Sequence, residues 1–460
     1  MTDRRSSWAL AAFAAPCVPI AAMGLPLVVY LPEFYVNSLG LSLSAVGAAF
    51  LVVKLVDIIF DPILGGLMDR TRTRLGRFRP WLIAGTPIIV IGSYALFMAK
   101  PGVGPIYLWF WLVVVYAGYS MVVLSQTAWG AVLSSDYQER SRVYGWWQGA
   151  NVLGMILVLC LPPVVTGVLK GDHLASIQAM GWFIVILAPL ATLLATSMVG
   201  EPKAPKAVHR AGLKQYLVLL KRPSVRLLLA ADILMGLAPG IAGSLFLFFF
   251  ERIKHFDKTQ SGLLLLVYFL AALAGSPIWP VVAKRLGKHR AMSIAAVIYA
   301  FVQVAAVMTP AGNSLAGMAV LILAGLPYSA APSLVRSMMA DIGDEERLES
   351  GVDRTGLLYA VVAGAMKLGY ALAVGVFILL QMMGFDPKAP TASGDAALIA
   401  MYAFLPASLG LLVSVIMLRY PLDASRLAEI QRQLAARDAA AGSSTPAAEP
   451  DPNAVVVPAQ

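Results

Sequence analysis

Charged residues are scarce in this sequence. Only 13% of its 460 residues are charged and 59% are hydrophobic, whereas a soluble domain carries about 25% charged residues. Cysteine is scarce too: Cys17 and Cys160 each lie in an apolar stretch, which excludes a disulfide framework and a cysteine-based metal site. The sequence also has no P-loop, nucleotide-binding glycine motif or catalytic triad, so we expect neither an enzyme nor an ATP-driven pump, and no cofactor.

Apolar stretches of membrane-spanning length fill most of the chain instead. A span needs about 20 apolar residues, and twelve stretches satisfy this requirement. They predict an all-α membrane protein with twelve transmembrane helices. The stretches lie near residues 9–31, 43–68, 81–99, 106–133, 144–169, 180–199, 227–250, 260–283, 291–310, 314–339, 355–384 and 397–418. The first is too long for the apolar region of a signal peptide, about 7–15 residues, so we expect it to be retained.

The net charge of +10 is distributed as in a membrane protein. Basic residues form short clusters between apolar stretches and no basic surface, which argues against a nucleic-acid partner. With the N-terminus inside, the 35 Lys and Arg divide into 27 in cytoplasmic segments, six in external loops and two within spans. By the positive-inside rule, both termini are predicted to lie in the cytoplasm and the protein in the inner membrane.

The longest interior break, 200–226, divides the spans six and six. We therefore expect an N-terminal half over 1–199, a central cytoplasmic loop over 200–226 and a C-terminal half over 227–420. The tail, 421–460, is predicted to be largely disordered. A substrate path between two six-helix halves is typical of secondary transporters, and nothing in the sequence requires an oligomer.

Three charged residues share one face of the second span. Lys54, Asp57 and Asp61 are spaced i, i+3, i+7, and each ionised group at mid-membrane costs about 2.5–3.5 kcal/mol. They must therefore face water or a partner, and two carboxylates one turn apart form a candidate site for a monovalent cation or a proton. The alternative is an internal salt bridge in which Lys54 neutralises one aspartate, although one lysine cannot neutralise two.

Lys367 lies midway along the eleventh span, too deep to reach the interface comfortably. We expect it to pair with one of the second-span aspartates, across the interface of the two halves. Formal charge then balances, with Lys54 and Lys367 against Asp57 and Asp61. The alternative is a lysine that extends to the membrane surface.

Two charged clusters are candidate gating loops. The first, after the second span, carries five arginines, most of which topology alone would explain; its glycines indicate a tight latch between helices. The second, after the tenth span, is acidic and is predicted to form ion pairs with basic loops, or else to be a solvated loop. The candidate gating residues are Asp69, Arg70, Gly76, Arg77, Asp341 and Asp344.

Three segments resemble the glycoside–pentoside–hexuronide:cation symporters, the melibiose-permease branch of the major facilitator superfamily. The segment from Gly40 to Pro87 contains KLVDIIFDPILGGLMDRTRTRLGRFRPW, and a second reads MADIGDEERLESGVDRTGLLYAVVAGAMKLGYALA. The third is 129–142. The resemblance implies the major facilitator fold and cation-coupled symport. It also implies that Asp57 and Asp61 bind the cation, with Lys54 and Lys367 as basic companions.

The chain departs from the family pattern at the expected sugar-binding positions. Sodium-coupled members of the family carry an acid in the first span that helps to hold the sugar, but 16–25 holds no charge here. Ser125 stands near the expected fourth-span acid, and Trp147 and Gln148 stand near the expected fifth-span arginine. The cation site is thus retained without the sugar-binding acids.

Polar and aromatic residues within apolar spans are candidates for the substrate cavity, although aromatic residues also line membrane interfaces. The candidates are Tyr116, Tyr119, Gln126, Thr127, Trp129, Trp147, Gln148, Asn151, Tyr268, Gln303, Tyr328, Tyr359 and Tyr370.

The sequence therefore predicts a cation-coupled transporter of a glycoside that works by alternating access. An alternative substrate is a lysophospholipid or similar amphiphile, which would not need the missing acids. A receptor that has lost transport is disfavoured, because four costly charges are retained within the spans.

The coupling ion is predicted to be a proton or sodium. Sodium needs several oxygen ligands, for which Ser125 and Thr127 are candidates besides the aspartates, whereas a proton needs a single carboxylate.

The distribution of basic residues makes a prediction about topology. Alkaline phosphatase, which is active only in the periplasm, should be inactive when fused to the C-terminus and active when fused in the loop between the first two spans. A C-terminal fusion that is active would contradict the predicted orientation.

Overall fold

Long apolar helices form nearly all of this structure, a computed structural model that describes residues 6–133, 137–201, 219–351 and 355–443. Within these residues, twelve helices are long and apolar enough to cross a membrane, as predicted. Spans 1 to 12 are Ser7–Val28, Leu43–Met68, Arg79–Phe97, Pro105–Gly130, Arg142–Val168, His173–Met198, Pro223–Arg252, Lys258–Gly275, Lys288–Met308, Ser314–Ser350, Val361–Met382 and Ala392–Leu418.

Several spans are broken or locally widened. Span 1 consists of Ser7–Ala14 and Cys17–Val28, and span 10 of Ser314–Tyr328 and Ala330–Ser350. Proline lies beside both breaks, at residues 16 and 327, where it cannot donate the helical hydrogen bond. Short π-helical turns occur at Phe34–Ser38, Val164–Val168 and Ala400–Phe404, and short helices at Tyr30–Glu33 and Ile278–Leu286.

Six spans precede residue 200 and six follow residue 219. The two sets meet chiefly where span 2 packs on span 11 and span 5 on span 8, with smaller contacts between spans 1 and 7. At the contact of spans 2 and 11 a Cβ added to Gly47 would lie 2.8 Å from Phe377 Cβ, so the helices approach closely there. The domain boundaries drawn from the sequence remain a prediction, and most of the central loop lies outside the described residues.

The charged cluster expected to form a loop after the tenth apolar stretch is instead the helical end of span 10. Asp341 and Asp344 lie on Ala330–Ser350, where the Lys288 ammonium is 2.7 Å from both Asp341 carboxylate oxygens. The expected ion pair is therefore present. Because Lys288 and Asp341 both belong to the second set of spans, this pair does not join the halves.

The beginning of the tail is ordered rather than disordered. Ala424–Ser443 forms a helix that packs on the charged end of span 10. Ile430 and Leu434, four residues apart, are 1% and 6% exposed, because that spacing places both on one helical face. The predicted disorder of 444–460 lies outside the described residues.

The face of the bundle opposite the chain termini is closed by polar contacts between the halves. Glu33, which is fully buried, accepts hydrogen bonds from the Lys258 ammonium at 2.8 Å and Asn37 at 2.9 Å and lies 2.9 Å from His173 Nε2. Burial by itself raises the pKa of Glu33, but His173 and Lys258 outweigh it and hold the pKa at about 2. Gln381 also accepts a hydrogen bond from the Ser44 amide at 2.6 Å.

Close helix packing within the first half generates a prediction. A Cβ at Gly154 would lie 2.1 Å from the Val18 carbonyl oxygen of span 1, whereas a Cβ at Gly149 on the same helix meets nothing within 4 Å. Gly154→Ala should therefore destabilise the protein by about 1–3 kcal/mol through overpacking. The measurement is the melting temperature of detergent-purified protein, with Gly149→Ala as the matched control that leaves it unchanged or raises it. Equal melting temperatures for the two variants would contradict the close contact.

Candidate functional site

A cavity of about 430 Å³ lies between the two halves. Residues of spans 1, 2, 4 and 5 line it on one side, and residues of spans 7 to 11 with the π-turn before Leu405 line it on the other. A cavity bounded by both halves at mid-membrane is the usual position of a transporter's substrate site.

Tyrosine is the dominant polar side chain of the cavity. Two tyrosines come from span 4 and five from the second half. The seven are Tyr116, Tyr119, Tyr268, Tyr299, Tyr328, Tyr370 and Tyr402. Each offers an apolar ring face and a hydroxyl group, so the wall can stack on a ring and also form hydrogen bonds.

The charged part of the wall is built from both halves. The Lys367 ammonium on span 11 lies 2.9 Å from Asp57 Oδ2 and also contacts Asp61 Oδ2, both on span 2. Ser120 of span 4 donates a hydrogen bond to Asp57 Oδ1 at 2.5 Å. Asp61 Oδ1 is buried and has no hydrogen-bond partner among the described residues. The expected pairing of Lys367 with the second-span aspartates is therefore present, and it involves both of them.

Lys54 is positioned differently from this expectation. Its ammonium lies 5.9 Å from the centre of the Tyr370 ring, and it has no carboxylate within 4 Å in the described part of the chain. Lys54 and Asp57 line the cavity together, so Lys54 balances the site at longer range. The alternative in which Lys54 neutralises one aspartate by direct contact is not what the structure shows.

A family model described as "MFS/sugar transport protein" matches residues 12–424. The chain belongs to this family. It is therefore a membrane transporter of the major facilitator superfamily and not an enzyme, which confirms the expected family, fold and class.

Several named transport proteins are similar to this protein over most of the chain. YagG of Escherichia coli (strain K12), named as a candidate glycoside/cation symporter, is 24% identical over 90% of this chain and 92% of its own. The isoprimeverose transporter of Lactiplantibacillus pentosus is 26% identical over 77% and 76%. The glucuronide carrier protein homolog of E. coli (strain K12) is 22% identical over 87% and 89%.

A solved structure shares the fold. The crystal structure of the nucleoside transporter NupG superposes with a TM-score of 0.64 at 13% sequence identity, covering 90% of this chain and 100% of that chain. At this identity the likeness concerns the fold alone.

Seven of the candidate cavity residues line the cavity of this family member. They are Tyr116, Tyr119, Asn151, Tyr268, Gln303, Tyr328 and Tyr370. Two of them also form hydrogen bonds with the backbone. The Gln303 amide donates to the Tyr402 carbonyl and the Asn151 amide to the Trp147 carbonyl, both at 2.8 Å. These two amides therefore have structural contacts as well as access to the cavity.

Five candidates do not line the cavity. Gln126 is buried and donates to the Phe13 carbonyl at 2.9 Å, and Trp129 packs edge to face on Phe13. Both join span 4 to span 1. The other three lie elsewhere on their helices: Thr127 is exposed and donates to the Val123 carbonyl, Trp147 packs on the apolar core and Gln148 is exposed.

The loop after span 2 is anchored by contacts with another segment of the first half. The Glu201 carboxylate accepts hydrogen bonds from the backbone amides of Arg77, Phe78 and Arg79 at 2.7–3.2 Å. Gly76 has φ +111°, and a Cβ there would lie 2.3 Å from Glu201 Oε2, so glycine is required. This acid joins the loop to the end of span 6. The role of the loop as a latch remains a prediction.

The remaining gating and cavity candidates have fewer contacts. Arg70 is exposed at the end of the second helix, and the Asp344 carboxylate accepts a hydrogen bond from Gln431 at 3.2 Å. The side chains of Asp69 and Tyr359 lie outside the described part of the structure. A gating role for any of these residues remains a prediction.

Three residues important to the geometry were not predicted. Ser120 contacts the aspartate pair, whereas Ser125 donates to the Val122 carbonyl; Ser120 is four residues from Tyr116 and so shares its helical face, a signal that was available. Asp232 is a carboxylate within span 7 that belongs to no recognised motif of the sequence. Glu33 lies just beyond the first apolar stretch, where no pattern distinguished it from a surface acid.

The bridging position of Lys367 makes a prediction about double mutants. Lys367→Ala should lower the melting temperature and expression, because it leaves two carboxylates uncompensated. Adding Asp61→Asn should restore more than adding Asp57→Asn, since Asp57 keeps its Ser120 hydrogen bond and Asp61 has an oxygen without a partner. The coupling should be about 1–3 kcal/mol. Additive losses in both double mutants would show that no such pairing contributes.

Proposed function

We propose that this protein is a cation-coupled symporter of a glycoside that works by alternating access in the inner membrane. The observation that carries the proposal is the contact of Lys367, from one half, with both Asp57 and Asp61, from the other, beside a cavity between the halves. An ion pair that joins the moving parts and also borders the substrate site connects cation binding to the packing of the halves. The name of YagG supports the same coupling of glycoside to cation.

In this proposal the coupling ion competes with Lys367 for the aspartates. Lys367 neutralises the two carboxylates when no ion is bound, and a proton or sodium ion takes over part of that charge when it binds. An ion can shift the equilibrium between conformations because it interacts more strongly with the aspartates in one conformation than in the other. Asp61 Oδ1, which is buried without a hydrogen-bond partner in the described residues, is the oxygen best placed to accept the ion.

A proton fits the oxygen atoms at this site better than sodium. Sodium requires several oxygen ligands, but Ser125 and Thr127 do not line the cavity that Asp57 lines. Within the described residues, Ser120 is the hydroxyl that contacts the aspartate pair. A proton needs only one carboxylate oxygen, so we propose proton coupling, with sodium as the alternative.

The cavity walls suit a glycoside. Aromatic rings stack on the apolar faces of sugar rings, and tyrosine hydroxyls and the Gln303 and Asn151 amides can bond to sugar hydroxyls. Two relatives are named for transport of isoprimeverose and glucuronide. The amphiphile alternative has the apolar lining in its favour but receives no support from the names of these relatives.

In the proposed cycle, this structure represents the conformation in which the face opposite the termini is closed. Contacts of Glu33 with Lys258 and of Ser44 with Gln381 join the halves at the face opposite the termini. With the termini in the cytoplasm, the cavity is closed to the outside in this state. Alternating access then requires these contacts to break when the outer side opens.

The proposal predicts how uptake responds to pH and to the aspartates. A screen of radiolabelled glycosides in cells should find a substrate whose accumulation depends on external pH, from about pH 5.5 to 8, at least as strongly as on sodium. Asp57→Asn and Asp61→Asn should abolish uphill accumulation but spare exchange of labelled for unlabelled substrate, because the cavity remains while coupling is lost. Asp386→Asn, on an exposed loop, is the control that keeps accumulation.

Each part of the proposal can fail separately. Sodium dependence without a response to pH would refute proton coupling, and full accumulation by either variant would remove that aspartate from the coupling site. If no glycoside is taken up while a lysophospholipid is, the proposed substrate class is wrong.

A further inference from the structure

Span 7 contains a carboxylate that the coupling site does not use. Asp232 lies about two and a half turns from the start of Pro223–Arg252, and the residue is 1% exposed. Its Oδ2 atom is buried without a hydrogen-bond partner, and no Lys, Arg or His of the described chain lies within 4 Å of either carboxylate oxygen. The buried aspartates of span 2, by contrast, share Lys367.

A small cavity connects Asp232 with the wall of the central cavity. It measures about 10 Å³, and Asp232, Tyr328 and Tyr370 all line it, which is close to the space that one water molecule requires. Tyr328 and Tyr370 also line the central cavity, and their hydroxyl oxygens are 3.3 Å apart. The two tyrosines therefore border both the central cavity and the small cavity that holds Asp232.

The groups around Asp232 supply little positive charge. Of the helices packed on span 7, span 10 brings Arg336, which acts on Asp232 electrostatically but forms no ion pair with it. Arg336 also has an interaction of its own elsewhere. The other titratable or charged groups on the elements packed against span 7 face the central cavity or the two ends of the span. They include Tyr268, Lys367, Tyr402, Glu33, Asp395, Asp341, Glu345 and Glu346.

Within the described part of the chain, an ionised carboxylate at this position has neither an ion pair nor a hydrogen bond to offset its loss of hydration. A carboxylic acid avoids that loss and can donate a hydrogen bond into the small cavity. We propose that Asp232 is a proton-binding site of the second half, connected with the central cavity through the hydroxyl groups of Tyr328 and Tyr370. Its part in transport rests on the proposed function; its protonation does not.

The proton transfer balances without any other reactant. A water molecule in the central cavity gives a proton to the Tyr328 oxygen, whose own hydroxyl proton passes to the Tyr370 oxygen. The hydroxyl proton of Tyr370 passes, through one water in the small cavity, to a carboxylate oxygen of Asp232. Both tyrosines end as neutral hydroxyl groups, and the cavity water has become hydroxide. The reverse sequence releases the proton to the cavity.

Infrared spectroscopy of the purified protein tests the protonation directly. At neutral pH, the C=O stretching band of a protonated carboxylic acid should be present and should lose one component in Asp232→Asn. Asp232→Glu should shift that component rather than remove it, which keeps the test valid if the asparagine variant does not fold. Ser244→Ala is the matched control, because it removes another buried, unpartnered polar atom from the same helix.

A carboxylic-acid band that is identical in the wild type, Asp232→Asn and Asp232→Glu would overturn the proposal, since Asp232 would then be ionised. Asp57→Asn and Asp61→Asn identify any contribution from the coupling site to the same band.

Hydrogen exchange tests the connection through the tyrosines. On transfer to D₂O, the Asp232 component should shift as the acid exchanges its proton. Tyr370→Phe and Tyr328→Phe should each slow this shift by about tenfold or more, because a positioned proton-transfer group is lost. Tyr299→Phe is the control: it removes a buried hydroxyl of the central cavity that does not line the small one. Unchanged exchange in both test variants would show that the proton reaches Asp232 by another route.

The transport consequence is measured separately. For a substrate found in the uptake screen, Asp232→Asn should flatten the dependence of uptake on pH and retain exchange. If the screen finds no glycoside, the proposed function fails while the infrared result stands. If uptake is found and Asp232→Asn keeps the wild-type pH profile, Asp232 binds a proton that transport does not use.

Discussion

One ammonium group between two carboxylates is the contact on which this transporter's organisation depends. Lys367 comes from span 11, and Asp57 and Asp61 come from span 2, so the charges can be neutral together only when the two halves are packed against each other. An isolated charge at mid-membrane costs about 2.5–3.5 kcal/mol, and removing one member of such a group leaves the others uncompensated. The same contact therefore holds the halves together and forms one wall of the central cavity.

The positions of the other polar contacts follow from this arrangement. At the face opposite the termini, Glu33 and Lys258 join the halves, and the hydroxyl of Thr259 donates to that of Thr166 at 2.8 Å. At the other face, Arg222 pairs with Glu349 at 2.7 Å within the second half. The described contacts thus join the halves at one face and brace the second half at the other.

The carboxylates within the spans have two different environments. Asp57 and Asp61 have a shared cation and, in one case, a hydroxyl donor. Asp232 lines a small cavity together with two tyrosines and, among the described residues, forms no ion pair. Because of this difference, the carboxylates of the two halves differ in how their negative charge is compensated, although both lie beside the same cavity wall.

The sequence by itself determined the number of spans and the identity of the charged residues that meet between the halves. Twelve apolar stretches require twelve helices because backbone groups in lipid must bond within the helix, and Lys367 needs an acid, of which span 2 offers two.

Tertiary structure alone decided which polar residues face the cavity. On helices that are apolar on every side, Gln126 and Gln303 have the same local pattern, yet one binds the backbone of span 1 and the other lines the cavity. Likewise, Lys54 lies over Tyr370 rather than beside an aspartate, and Ser120 rather than Ser125 contacts Asp57, because the rotation of each helix is set by its neighbours.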